Sequence, residues 1–193
     1  MSHINYDVIG KEFDLPTLFL EKLYELMKTM TKYFKDNHIK YFADGGTLLG
    51  IIREQRQITY DNDIDFGMFE NDFLKVLGML KEIETKFNYF TKYENYQIQI
   101  FHKDVCLEQD DGKQVFPCLD IFLYKRFNNR ILPFIHFPNC YYKQNEFLPL
   151  VKRKYYNPRD TEYVNVITVN NPIPYLERYY GEWKKRVCYD KHY

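Results

Sequence analysis

Hydrophobic residues recur every three or four positions in several stretches of the chain, which is the spacing of an amphipathic helix. The first stretch covers about residues 14–37, where Asp14 can act as the N-cap and Pro16 can occupy the first turn. The second stretch covers about residues 71–87. A shorter pattern of the same kind at residues 174–183 predicts a closing helix.

Short apolar or alternating runs separate these helices and predict strands. The runs occupy residues 40–43, 63–68, 96–101, 118–124 and 131–132, with a further strand near Val105. Two turns are predicted between strands, at Asn128-Asn129 and at residues 110–113. Prolines and polar residues interrupt the pattern at residues 133–172, where we expect loops with short strands.

The segment after the first predicted helix is rich in glycine. Four of the eight glycines of the chain fall within it, at Gly45, Gly46, Gly50 and Gly67. Gly45 and Gly46 follow a strand and open a predicted helix over residues 47–55, so unpaired backbone N–H groups at this turn can face a phosphate. Arg53 and Arg56 are each either phosphate ligands or solvated charges. We favour the ligand for Arg53 and the surface for Arg56.

Three acids follow this turn at alternate positions, Asp61, Asp63 and Asp65. If this segment is a strand, its period of two places all three on one face and directs Ile64 and Phe66 into the core. Asp63 and Asp65 can then ligate one or two Mg²⁺ ions, which prefer oxygen ligands. Asp61 is the outermost acid, and we expect it to be an outer or solvated residue.

Asp120 stands alone in a strongly apolar predicted strand, where an unmatched charge is costly. A metal ion shared with Asp63 and Asp65 on a neighbouring strand would supply the match. The sequence therefore predicts three carboxylates from two adjacent strands, beside a Gly-Gly turn. A phosphate-binding turn next to a Mg²⁺ or Mn²⁺ site is the equipment for moving a phosphoryl group.

The acidic cluster also has two simpler interpretations. It resembles the start of an EF-hand calcium loop, but the sixth position of such a loop must be Gly and is Phe66 here. The twelfth position should be Glu and is Asp72. Alternatively, the acids cap a turn in solvent, as many Asp and Asn clusters do. The isolated Asp120 and the upstream glycines favour the metal site.

Composition excludes several function classes. Its 193 residues favour one domain over residues 1–193, and the 27 basic and 27 acidic residues leave no net charge to attract nucleic acid or an anionic membrane. The chain has neither an apolar run long enough to span a bilayer nor a basic and apolar leader, so we expect a cytoplasmic protein without a transmembrane segment. The four cysteines are widely spaced, match no zinc site and are expected to be reduced.

Several motifs together resemble the LicD/fukutin-related family of the nucleotidyltransferase, polymerase-β-like superfamily. The resemblance rests on Gly45-Gly46-Thr47-Leu48-Leu49-Gly50 with Arg53, on the Asp61-Asn62-Asp63-Ile64-Asp65 segment, on Leu119-Asp120-Ile121-Phe122, on a proline-centred stretch at residues 147–156 and on a closing element at residues 170–183. These motifs occur in the expected order over about residues 20–185. This segment departs from the family's usual Trp-Asp-Asp-Asp-Ile-Asp at Tyr60 and at Asn62, which replaces the middle of the three consecutive Asp residues.

The resemblance implies an α+β fold with a nucleotidyltransferase-type mixed β-sheet flanked by α-helices. It implies that Asp63, Asp65 and Asp120 are the catalytic and metal-binding acids. Gly45, Gly46 and Thr47 would hold the nucleotide phosphates, with Arg53 beside them. The implied reaction moves a phospho-alcohol, such as phosphocholine or ribitol phosphate, from a CDP-activated donor to a glycan hydroxyl with Mg²⁺ or Mn²⁺.

Two other functions remain open from the sequence. A nucleotidyltransferase that attacks an NTP and releases pyrophosphate would use the same residues. A non-catalytic nucleotide- or glycan-binding module would keep the fold without the reaction, although the complete set of acids argues against a relic site.

Overall fold

The computed structural model describes residues 14–108, 112–135, 137 and 139–185, together with the backbone of residues 2–5. The helices are α1 (Thr17–Asp36), α2 (Gly45–Arg53), α3 (Glu70–Gly78), α4 (Leu80–Phe87), α5 (Gln144–Phe147) and α6 (Ile173–Tyr180). The strands are β1 (Ser2–Asn5), β2 (Phe42–Ala43), β3 (Asp63–Phe69), β4 (Tyr89–Glu94), β5 (Gln97–His102), β6 (Val105–Glu108), β7 (Gln114–Val115), β8 (Cys118–Phe127), β9 (Arg130–Pro133), β10 (Tyr142–Lys143), β11 (Val151–Tyr156) and β12 (Tyr163–Thr168). The chain is thus a mixed α+β structure, as predicted.

The largest sheet has seven strands and is centred on β3 and β8, which run parallel. Strand β2 lies antiparallel on the far edge of β3. Strand β8 pairs antiparallel with β5 along its first half and with β9 along its second half. Strands β4 and β10 extend the sheet from β5 and β9. Because β3 and β8 sit at the centre, most of their residues are buried, whereas Arg126 and Phe127 at the end of β8 are exposed.

The two faces of this sheet lead to two hydrophobic cores. Ile64 and Phe66 of β3 are fully buried in the first core, as predicted, together with residues of α1, α3 and α4. The second core contains Phe42, Tyr124 and Trp183 and gathers residues from α2 and α6. Since side chains alternate along a strand, the acids of β3 lie on the face opposite to the first core.

The region predicted to consist of loops with short strands contains a regular hairpin with six residues in each strand. Strands β11 and β12 pair antiparallel over their whole length, from Val151↔Thr168 to Tyr156↔Tyr163. The prediction underestimated this hairpin because three consecutive charged residues, at positions 152–154, interrupt the strand pattern of β11. A single parallel bridge between Arg56 and Tyr156 ties the hairpin to the segment that follows α2.

Two predictions about helices are wrong. Asp14 does not cap α1, because its carboxylate accepts a hydrogen bond from the Thr59 hydroxyl and the helix begins after Pro16. The helix predicted over residues 71–87 is two helices, α3 and α4, separated at Met79. Gly78, a weak helix former, precedes the break.

The cysteine prediction is confirmed for the described residues. Cys106, Cys118 and Cys140 are buried free thiols, whereas Cys188 lies outside the described residues. Asp110 and Asp111 of the predicted turn also lie outside them. No helix in the described part of the chain has the length and apolar character of a bilayer-spanning segment.

Candidate active site

Three carboxylates converge where β3 begins. Asp61, Asp63 and Asp65 each offer an oxygen atom, and these atoms all lie within 4.8 Å of one another. Sequence reasoning placed Asp61 outside the central pair, whereas the structure brings it beside Asp63 and Asp65. The three form a group of hard oxygen donors of the kind that divalent metal ions bind.

The Gly-Gly turn is held directly against Asp65. The backbone N–H of Gly46 donates to Asp65 Oδ2 at 2.9 Å, and the N–H of Asp65 donates to the Thr47 hydroxyl at 2.8 Å. The N–H of Asp44 donates to the Asp65 carbonyl at 3.0 Å. These contacts connect the N-terminus of α2 to the acid strand and fix the direction of the Asp65 side chain.

The two glycines are required because the acids approach so closely. A Cβ atom at Gly45 would lie 2.6 Å from Asp65 Oδ2, and Gly45 also has a φ of +48°. A Cβ atom at Gly46 would lie 2.2 Å from Asp61 Oδ2. Sequence reasoning assigned these glycines to phosphate binding. The structure shows a further requirement, since any side chain here would displace a carboxylate.

Asp120 lies on β8 directly opposite Asp65 in the parallel register. Its carboxylate accepts hydrogen bonds from Gln97 Nε2 at 2.7 Å, Gln99 Nε2 at 3.0 Å and Cys118 Sγ at 3.0 Å. Asp120 lies outside the group of three whose oxygens fall within 4.8 Å of one another. Its orientation is therefore fixed by neutral donors from β5 and from its own strand.

The site concentrates negative charge. Burial raises the pKa of Asp65 well above its ordinary value, and the charges of Asp63, Asp61 and Asp120 raise it further. Burial, followed by the charge of Asp63, raises the pKa of Asp120 to about 6, against the opposing effect of its three hydrogen bonds. This repulsion and the all-oxygen donor set fit a divalent cation such as Mg²⁺ or Mn²⁺.

Arg53 lines the cavity into which the acids open, but its guanidinium already has protein partners. It donates to Glu54 Oε1 at 2.7 and 3.0 Å, to the Tyr60 hydroxyl at 3.3 Å and to the Trp183 carbonyl at 3.3 Å. These bonds hold the segment after α6 against α2. Arg56 pairs with Asp160 at 2.7 Å, in keeping with its expected surface position.

Asp44 was not singled out from the sequence. It is 4% exposed, and its carboxylate accepts hydrogen bonds from the hydroxyls of Tyr124 and of Tyr142, the latter at 2.5 Å. Burial raises the pKa of Asp44, while these tyrosines oppose the rise. The only sequence signal was a carboxylate directly before a Gly-Gly turn, which is also the ordinary pattern of a helix cap.

The acids open into a cavity of about 1080 Å³. Its polar end is lined by Asp44, Gly45, Gly46, Asp61, Asp63 and Asp65. Its aromatic wall contains Tyr60, Phe122, Phe137, Tyr179, Tyr180 and Trp183. Aromatic and polar groups that converge on one cavity of this size are typical of a small-molecule site.

Comparison with known proteins identifies the class of this site. The family model described as the LicD/FKTN/FKRP nucleotidyltransferase domain matches residues 38–172, which contain the Gly-Gly turn and the five acids Asp44, Asp61, Asp63, Asp65 and Asp120. The chain therefore belongs to the LicD/FKTN/FKRP family. The matched model is described as a nucleotidyltransferase domain.

Two rickettsial proteins are similar to most of the chain. An uncharacterized protein of Rickettsia typhi is 31% identical over 176 residues, covering 88% of this chain and 49% of its own length. An uncharacterized protein of Rickettsia prowazekii is 30% identical over 176 residues, covering 88% of this chain and 58% of its own length. The chain thus spans about half the length of the curated relatives it matches.

Proposed function

We propose that this protein is a metal-dependent phosphotransferase with a nucleotidyltransferase-type fold. It would move a phospho-alcohol, such as phosphocholine or ribitol phosphate, from a CDP-activated donor to a glycan hydroxyl. The observation that carries this proposal is the convergence of Asp61, Asp63 and Asp65 beside the Gly-Gly turn. Family membership supports the assignment to a transferase.

Asp61, Asp63 and Asp65 would hold the metal ion, with Asp120 as the further carboxylate from β8. When bound, Mg²⁺ or Mn²⁺ neutralises the charge that develops on the phosphates during transfer. Gly46 and Thr47 hold Asp65 in place by hydrogen bonds to its carboxylate and its backbone N–H. The residues around the Gly-Gly turn therefore hold the carboxylate in place before a metal ion or a substrate binds.

The donor's phosphates would lie beside the N-terminus of α2, next to Gly45, Gly46 and Thr47. Gly45, Gly46 and Arg53 line the same cavity as the carboxylates, so phosphates bound there would lie close to the acids. The aromatic wall offers faces on which the donor's base or a sugar ring can stack. These positions would set the reacting phosphorus between the acids and the acceptor.

The transfer itself would be an in-line displacement. The acceptor hydroxyl oxygen attacks the phosphorus that carries the alcohol, the bond from that phosphorus to the bridging oxygen breaks, and CMP leaves. Asp120 would take the hydroxyl proton, since a pKa of about 6 leaves most of its carboxylate ionised at neutral pH. Gln97 and Gln99 stabilise that ionised form by hydrogen bonds.

A mass-spectrometric screen tests this proposal. The purified protein receives Mg²⁺ or Mn²⁺, a mixed pool of sugar acceptors, and in turn CDP-choline, CDP-ribitol, CDP-glycerol and the four NTPs. We expect metal-dependent CMP from one CDP-alcohol, together with a phosphorylated acceptor, and neither product from Asp63→Asn. Full activity of the Asp63→Asn variant would contradict the assignment of the acids.

A second candidate is a nucleotidyltransferase that uses an NTP. It is favoured by the description of the matched domain as a nucleotidyltransferase domain. Pyrophosphate release from one NTP in the same screen, without CMP from any CDP-alcohol, would establish it. Nucleotide binding without any metal dependence or turnover would instead indicate a binding module.

A further inference from the structure

The acidic segment bends sharply at its start. In a straight strand, residues four apart are separated by roughly 13 Å along the chain, because each residue advances about 3.3 Å. Yet Asp61 and Asp65 bring carboxylate oxygens within 4.8 Å of each other. A turn closed by the hydrogen bond from the Asp61 N–H to the Ile58 carbonyl, at 3.0 Å, immediately precedes this segment, and the short distance between the carboxylates requires a bend between Asp61 and Asp65. The grouping of the three acids therefore depends on this bend.

The Gln57 side chain holds the bend. Its Nε2 donates to the Asp61 carbonyl at 3.0 Å and to the Asp63 carbonyl at 2.8 Å. Gln57 is 6% exposed, so these bonds form largely out of contact with water. One amide group thus joins the backbones of two acids that are two residues apart. A buried amide with both hydrogens engaged fixes the local backbone more firmly than an exposed one.

The hairpin β11–β12 fixes Gln57 in turn. The Tyr155 hydroxyl donates to Gln57 Oε1 at 2.7 Å, which orients the amide so that its nitrogen faces the two carbonyls. Tyr155 is fully buried and its ring stacks on Tyr24 of α1, with a centroid distance of 6.1 Å. Tyr156 N–H also donates to the Gln55 carbonyl at 2.8 Å. The bend is thereby anchored to two elements distant in sequence.

We propose that Gln57 and Tyr155 are positioning residues that set the spacing of Asp61 relative to Asp63 for metal binding. This inference rests on the proposed function, since it assigns the acids to a metal ion. Gln57 supplies no ligand atom. It acts through the backbone of the acids, in the way that outer hydrogen bonds orient the ligands of other metal sites. Tyr155 acts one step further out, through the orientation of the Gln57 amide.

Titration with Mn²⁺, in which electron paramagnetic resonance measures the bound ion, tests the inference without relying on activity. We compare the wild-type protein with Gln57→Leu, which keeps the volume but loses the amide. The expected result is Mn²⁺ affinity about 10- to 100-fold weaker than in the wild type. Tyr155→Phe keeps the buried ring and should weaken binding about 2- to 10-fold, as the loss of one hydrogen bond predicts.

Tyr89→Phe is the matched control for Tyr155→Phe. Tyr89 is also a buried tyrosine, 3% exposed, but it lies on β4 in the first core. Its variant should bind Mn²⁺ as the wild type does. Thermal unfolding checks that each variant is folded, and Tyr155→Phe provides the test if Gln57→Leu does not fold.

The outcomes separate the inference from the proposed function. If the wild type binds Mn²⁺ and both folded variants bind it within twofold of the wild type, the positioning role is wrong and the metal site stands. If the wild type itself binds no Mn²⁺, the metal site and the positioning role both fail. Activity adds a second readout. The variants should need more metal for half-maximal rate while approaching the wild-type kcat at saturating metal, whereas an equal loss at all metal concentrations would contradict the inference.

Discussion

The acids of the site lie close together, and the repulsion between their charges destabilises the folded protein. Asp65 receives one backbone hydrogen bond at its carboxylate and donates another from its N–H, yet it lies among like charges. Asp63 is among the charges that raise the pKa of both Asp65 and Asp120. In the metal-free protein this repulsion opposes folding, which is common where a site is organised for a charged ligand.

The pH dependence follows from the sign of these shifts. The pKa of Asp120 rises from 3.8 to about 6 on folding, so its carboxyl binds a proton more tightly in the folded state. Its contribution to stability therefore falls as pH rises from about 4 through about 6 and remains unfavourable above that range.

Asp63→Asn should relieve the repulsion. We expect the metal-free variant to be more stable than the wild type by about 1 kcal/mol at pH 7, because one of the facing charges is removed. Denaturant unfolding measures this gain, and carbon-detected NMR titration should show a lower pKa for Asp120. Asp160→Asn, on the exposed surface, is the control and should not change the Asp120 pKa. A destabilised Asp63→Asn variant would show that the negative charge of Asp63 does not destabilise the folded state.

Gly46 tests the contact between the turn and the acids. Gly46→Ala places a Cβ atom 2.2 Å from Asp61 Oδ2, so the Asp61 carboxylate must move. We expect Mn²⁺ affinity to fall at least about tenfold, by analogy with the loss of other ligand-orienting contacts. Calorimetric titration with Mn²⁺ measures it. Gly78→Ala is the matched control, because a Cβ atom there meets nothing within 4 Å. Equal metal affinity in both variants would contradict the steric account.

At the scale of elements, the predictable parts of the fold are those with unmixed patterns. Strands β3, β5 and β8 were predicted because apolar residues repeat in them at period two or in a continuous run. The hairpin β11–β12 was underestimated because Lys152, Arg153 and Lys154 follow one another near its start. The bend before β3 was not predicted at all. It depends on Gln57 and Tyr155, which are 98 residues apart, and no local pattern reveals such a contact.

The candidate site was predicted to a similar degree. Asp63, Asp65 and Asp120 were chosen as candidates from the period-two spacing of the first two, the isolation of Asp120 in an apolar strand and the family resemblance. The placement of Asp61 beside them did not, because period-two alternation describes a straight strand and this segment bends. The hydrogen bonds from Tyr124 and Tyr142 to Asp44 were also not predicted, since these tyrosines come from β8 and β10, far along the chain.

Three elements meet at Asp44, and their connection can be tested. Tyr142 of β10 donates to Asp44 at the start of α2, and Tyr124 of β8 donates to the same carboxylate. Tyr142→Phe removes one donor from a buried carboxylate, so we expect a loss of about 1–3 kcal/mol in the free energy of unfolding. Denaturant titration measures the loss. Tyr93→Phe, at an exposed position, should change stability little. An equal loss of unfolding free energy in both variants would show that the hydrogen bond from Tyr142 to Asp44 stabilises the fold no more than an exposed tyrosine hydroxyl does.

At the scale of the whole molecule, charge is balanced in number but not in space. The 27 acidic and 27 basic residues cancel, yet Asp44, Asp61, Asp63 and Asp65 all line one end of a single cavity. Arg53 lines it as well, but its guanidinium bonds to protein groups. The central sheet presents its acids on the face opposite to the first core, and Tyr124 and Trp183 of the second core line the same cavity as the acids.

The most direct measurement is an anomalous difference map from crystals grown with Mn²⁺ and CDP. The account predicts a peak between the carboxylates of Asp61, Asp63 and Asp65, at coordination distance from each, and no such peak in crystals of Asp63→Asn. A peak elsewhere in the molecule, or no peak at these acids while CDP is bound in the cavity, would contradict the assignment of this site to a metal-dependent transfer.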